Sequence, residues 1–89
     1  MERFFIDLTQ AEDRGQLYDR LTESLPLPEW CGRNLDALYD VFTGEFHDVR
    51  IFFRGESVAE ENLGGYFSMF KTMCQEATEQ NPELEIFFQ

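Results

Sequence analysis

Basic residues are scarce in this chain. Seven Lys and Arg stand against 18 Asp and Glu in 89 residues, a formal net charge of −11. A surface so negative repels nucleic acid and anionic lipid, and it draws basic proteins in from a distance. Its plainer consequence is solubility. Cysteine is nearly absent too: Cys31 and Cys74 lack the short spacing of metal ligands. Two thiols cannot build the disulfide framework of a small secreted domain, so they fit a reducing compartment. No cationic segment followed by an apolar run opens the chain, and no apolar stretch approaches bilayer-spanning length. Taken as the whole mature chain, it is expected in the cytoplasm. There is no glycine-rich phosphate loop, no internal repeat and no low-complexity tract. The single histidine, His47, falls in an expected connection.

What is present is core-forming. With 43% apolar and 16% aromatic residues, ten of them Phe, the chain is too hydrophobic to be disordered despite its charge. Its length allows one domain, residues 1–89. Three Phe- and Ile-rich segments, RFFIDL (Arg3–Leu8), VRIFFR (Val49–Arg54) and ELEIFF (Glu83–Phe88), read as strands. Helical patterns long enough for crossovers separate them, so a parallel sheet follows. One parity, Phe4, Ile6, Leu8, Ile51, Phe53, Leu84, Ile86 and Phe88, is wholly apolar. The other mixes Phe5, Phe52 and Phe87 with Arg3, Asp7, Arg50, Arg54, Glu83 and Glu85. A sheet buried on both faces does not carry that many charges. The expected fold is therefore α/β in two layers, a three-stranded parallel sheet with helices covering one face. The three second-parity Phe residues form an aromatic row on the other face, either a self-association surface or a face shielded by long charged side chains.

Asp13 and Gln16 have capping-box spacing, and Leu17, Leu21 and Leu25 recur every four residues, so a first helix starts near Asp13. Pro26 and Pro28 end it. A second helix is expected from its cap Asn34 to Gly44, and a short helical turn around Ser57–Asn62 closed by Gly64 and Gly65. A last helix spans about Tyr66–Gln80, with Phe67, Phe70, Cys74 and Ala77 on its core face, before Asn81-Pro82 stops it.

On a wheel of 100° per residue, the second helix separates cleanly. Leu35, Leu38, Val41 and Phe42 face the core, and Asp36, Asp40 and Thr43 lie opposite, with Tyr39 at the border. Asp36 occupies the first turn, where the helix dipole favours an anion. Asp40 lies in the last turn, where the dipole disfavours it, and it repels Asp36 at i,i+4. Each penalty is a few tenths of a kcal/mol, so a solvated charge and a functional one both remain open. Ahead of the helix, Glu29 and Trp30 sit in a loop held by Pro28 and Gly32. Trp30 either anchors an interface or folds back onto the core.

The run LPEWCGRNLDALYDVFTG (Leu27–Gly44) resembles the signature region of the barstar family, intracellular inhibitors of ribonucleases. There, Leu-Pro-Glu, two aromatics and a glycine precede an Asn-Leu-Asp-Ala-Leu run into the binding helix. The likeness extends along the chain in length and element order, including QEA (Gln75–Ala77) before the last strand. It implies a parallel three-stranded sheet with helices on one face. It also implies an inhibitor that plugs the ribonuclease active site with an acidic helix and the loop before it, carboxylates taking the places of substrate phosphates. By position, Asp40 corresponds to the principal carboxylate and Asp36 to a second one. Trp30 stands for a tyrosine that packs on the catalytic histidine, and Tyr39 for a tryptophan at the interface edge. Glu76 matches an acidic contact, Gly32 and Asn34 the loop and cap, and Thr43 a neighbouring polar position. The implied partner is a basic, extracellular-type, barnase-like ribonuclease, with no direct nucleic-acid or membrane contact. No cofactor or metal is implied, and the free protein is expected to be a monomer that protects the cell producing it.

Three positions depart from the pattern. Cys31, expected to be exposed, replaces the second aromatic, Glu45 replaces an aromatic after the glycine, and Arg33 replaces an acid, adding a positive charge beside the binding face. A non-inhibitory acidic binding module on the same fold is the alternative function. Catalysis is disfavoured: the Asp36–Asp40 pair lacks supporting ligands nearby, and a Cys31–His47 nucleophilic pair lacks an orienting partner.

Overall fold

A computed structural model describes residues Met1–Gln89. The elements run β1 (Glu2–Asp7), α1 (Arg14–Ser24), α2 (Leu35–Gly44), β2 (Val49–Arg54), α3 (Glu56–Leu63), α4 (Gly65–Gln80) and β3 (Leu84–Phe88). The three strands pair in parallel in the order β1-β2-β3. Parallel neighbours cannot be joined by a tight turn, so a pair of helices carries each crossover. β1 begins one residue earlier than its hydrophobic run. Glu2 N–H donates to the carbonyl of Asp48 at 3.0 Å, and Leu8 closes the far end by donating to that of Arg54 at 2.8 Å.

The period of two along each strand decides the layers. Register places Phe4 beside Ile51 and Ile51 beside Ile86, with Ile6, Phe53 and Phe88 as the next rank on the same face. Ile6, Ile51 and Phe53 join the helices' apolar stripes in one core cluster of 21 buried residues, which includes Leu17, Leu21, Leu38, Phe42, Phe67 and Phe70. The opposite face stays open. Phe5, Phe52 and Phe87 stand in register across all three strands, with ring centroids 4.9 and 5.1 Å apart and near-parallel planes. Phe5 remains 71% exposed. Charged pairs flank the row, Arg50 to Glu85 at 2.6 Å and Arg54 to Asp7 at 3.4 Å.

The helix boundaries follow local chemistry. Asp13 caps α1 by accepting from Gln16 N–H at 2.8 Å, and Asn34 caps α2 by accepting from Ala37 N–H at 2.8 Å. The short turn expected at Ser57–Asn62 is a full helix, α3. It starts after Gly55, whose φ of +89° and close approach to Thr9 leave no room for a Cβ. α4 begins at Gly65, one residue ahead of the expected Tyr66. Met73 joins Phe67, Phe70, Cys74 and Ala77 on its buried face. No helix is long and apolar enough to cross a membrane.

Candidate functional site

The segment between α1 and α2 is shaped by a few residues that pack inward. Leu25 is buried, and Leu27 and Cys31 lie against the core. Cys31 N–H donates to the carbonyl of Pro28 at 3.0 Å, closing a tight turn that throws Glu29 and Trp30 outward. Trp30 is 68% exposed, so it does not fold back onto the core. Its neighbour corrects an expectation: Cys31 is only half-exposed, and burial raises its thiol pKa. Nor does Cys31 engage His47, whose Nδ1 lies 3.3 Å from Glu83. At Gly32, a Cβ would come within 2.9 Å of the Asn34 side-chain nitrogen, so the glycine lets the loop enter the cap at close quarters.

Arg33 brings its positive charge beside the acidic face, as expected, but in paired form. Its guanidinium turns back onto α1, donating to the carbonyl of Gly15 at 2.7 Å and to Asp19 at 2.9 Å. The charge expected beside the acidic face is thus paired, and the loop is tied to the first helix. The pair is about half-exposed, so its energetic worth is below about 1 kcal/mol. Its consequence is geometric.

Along α2, Leu38, Val41 and Phe42 are buried and Asp36 and Asp40 are exposed. Neither carboxylate takes part in an ion pair or a side-chain hydrogen bond within the molecule. Tyr39 and Thr43 are half-buried at the edges of that face, and Thr43 Oγ1 donates back to the Tyr39 carbonyl at 2.7 Å. α2 packs on α4, and between them opens a groove of about 560 Å³. Leu35, Asp36, Tyr39, Met69, Met73 and Glu76 line it. The structure therefore brings Asp36, Tyr39 and Glu76 to one groove, whereas Trp30, Asp40 and Thr43 lie outside it. Met69, 58% exposed, is a groove residue that the family pattern did not point to. Its spacing to Met73 and Glu76, i, i+4 and i+7, is the signal that places all three on one face of α4.

The surface so built is an acidic ridge beside an aromatic side chain and a shallow, partly apolar groove. It offers a basic protein charge complementarity at the ridge and an apolar seat next to it. No group of three or more His, Cys, Asp or Glu side chains converges closely enough to hold a metal ion.

Comparison with known proteins points to one family. A family model described as Barstar (barnase inhibitor) matches residues 1–89. A Bacillus subtilis (strain 168) protein provisionally named ribonuclease inhibitor YrdF is 32% identical over 81 residues, covering 90% of this chain and 89% of that protein.

Proposed function

The chain belongs to the barstar family, and on that premise we propose that it inhibits a basic ribonuclease by occluding its active site with α2 and the loop before it. One observation carries the mechanism. Asp36 and Asp40 project from one face of α2 with no partner inside the molecule, and at i,i+4 spacing they repel each other. Folding gains nothing from Asp40. A phosphate-binding site of clustered Arg, Lys and His on an enzyme does. In this mechanism Asp40 enters that site as the principal phosphate substitute, and Asp36 supports it. Trp30 stacks on the enzyme at one side. Tyr39 and Glu76 contact it along the groove, and Thr43 flanks Asp40. Gly32 and Asn34 hold the loop and helix start in place. The inhibitor is a monomer before binding, uses no cofactor, performs no catalysis, and acts in the cytoplasm of the cell that makes the nuclease.

The binding is steered by charge. A net charge of −11 draws a cationic enzyme in, and desolvated carboxylate–guanidinium pairs then slow its release. Titration against a panel of basic microbial ribonucleases tests this. The expected result is stoichiometric inhibition of at least one member, an association rate that falls as salt rises, and a loss of about 2–5 kcal/mol in binding for Asp40→Ala. Binding that leaves nuclease activity intact would instead mark an adaptor. No inhibition of any member at micromolar protein, where a binding energy of about −8 kcal/mol would already show, overturns the proposal.

A further inference from the structure

The molecule has so few cations that their pairing is informative. Arg20, Arg33, Arg50, Arg54 and Lys71 each meet a carboxylate. Arg3, on β1, meets none, and neither does Arg14, although acids outnumber bases by 18 to 7. Arg14 is the first residue of α1, where the positive end of the helix disfavours a cation. What holds it is aromatic: its guanidinium carbon lies 4.2 Å from the centroid of the Tyr66 ring. That ring is itself fixed, because the Tyr66 and Tyr18 hydroxyls are 2.6 Å apart and Tyr18 is buried. A depression of about 470 Å³ opens at this cluster, lined by Arg14, Tyr18, Arg33, Tyr66, Asp36 and Met69. Asp36 and Met69 also line the α2–α4 groove, so the depression adjoins the acidic ridge and shares its rim.

We propose that this depression receives an Asp or Glu carboxylate of the ribonuclease, with Arg14 as its counter-ion. The inference rests on the inhibitory reading of the acidic face. Arg14 is stacked and pre-aimed, its N–H groups are not spent on an internal acid, and the nearby start of α1 adds positive potential. A small free anion would have to approach a strongly negative molecule unaided. A carboxylate carried on a docked enzyme is delivered by the contacts next door. The depression then acts as a specificity site: it rewards enzymes with an acid beside the basic cleft and leaves others with a desolvated arginine.

Long-range and local electrostatics predict opposite signs for the same substitution, which makes the test sharp. Arg14→Gln leaves this inhibitor more negative still, so steering alone predicts equal or faster association and equal or tighter inhibition. A lost contact predicts dissociation about tenfold faster despite that. The measurement is association and dissociation rates of wild type, Arg14→Gln and Arg14→Lys on a panel ribonuclease that wild type inhibits, with circular dichroism to show that each variant is folded. The expected result is faster dissociation for Arg14→Gln and partial recovery for Arg14→Lys. Amidating one acid at the rim of the enzyme's cleft should then erase the difference between wild type and Arg14→Gln. Inhibition by Arg14→Gln as tight as wild type, with Asp40→Ala still weakened, overturns this inference alone. No inhibition by wild type overturns it together with the inhibitory reading.

Discussion

Asn81, at the end of α4, donates its side-chain amide to the carbonyl oxygen of Phe46 at 2.7 Å. The same nitrogen reaches the carbonyl of Phe42 at 2.9 Å, and the Asn81 side-chain oxygen accepts from Glu83 N–H at 3.0 Å. Asn81 is the one buried polar residue of the chain, 5% exposed. It satisfies a carbonyl in the last turn of α2, Phe42, and one just beyond the helix, Phe46, and so fastens the far end of the acidic helix to the last crossover.

Replacing Asn81 by Ala removes both donors and strands buried carbonyls, with an expected loss of about 2–3 kcal/mol of stability. Asn81→Asp should cost at least as much, because an ionised carboxylate cannot donate to them. Urea denaturation followed by circular dichroism measures both. An unchanged midpoint for Asn81→Ala would show that water replaces the amide.

Asp40→Asn should stabilise the free protein by about 0.3 kcal/mol, since it removes the repulsion from Asp36. The same variant should inhibit poorly. Urea midpoints and nuclease titration on one preparation check the two signs together, and a destabilised Asp40→Asn would mean that the carboxylate serves the fold.

One phenylalanine from β1 and one from β2 test the sheet's two faces. Phe53, fully buried against Phe70 and Phe88, should lose about 3–5 kcal/mol on truncation to Ala. Phe5, 71% exposed, keeps only its stacking on Phe52, so Phe5→Ala should cost about 1 kcal/mol. Comparable losses at both positions would mean that the open face is covered in solution.

Alkaline pH should unfold the protein by a defined route. Burial raises the Tyr18 hydroxyl pKa, with its bond to Tyr66 adding to the effect, and burial raises the Cys74 thiol pKa. Both groups are held neutral in the fold, whereas unfolded they titrate near about 8.5 for Cys and about 10 for Tyr. Stability from them is therefore complete below about pH 8.5 and declines as pH climbs through those values toward the higher folded ones. Urea midpoints from pH 7 to 11 measure the decline, and Tyr18→Phe should remove its upper part. At pH 8 a thiol reagent should modify Cys31 slowly and leave Cys74 untouched until the chain unfolds.

Much of this architecture was legible in the residues themselves. The apolar parity of RFFIDL, VRIFFR and LEIFF reappears as the core-facing ranks, and the Phe5–Phe52–Phe87 row as a stack in register. The caps Asp13 and Asn34 accept the bonds that their spacing implies. α3 was underestimated, because ESVAEENL has too weak an apolar stripe to show as a helix alone.

Periodicity, caps and charge are properties of neighbours in the chain, so the sequence by itself determined the elements, their inward faces, and a carboxylate pair on the outward face of α2. Contacts between residues far apart have no local signal, and those only the tertiary structure decided. Packing of Leu27 and Cys31 on the core leaves Trp30 pointing outward, and Asp19 and Gly15 tie Arg33 to α1. Packing of α4 on α2 makes the groove in which Met69 and Glu76 meet Asp36. Asn81 reaches across 39 residues to Phe42 because close packing leaves no water to satisfy that carbonyl. A period can say which way a side chain points, but only the packed fold can say what it meets there.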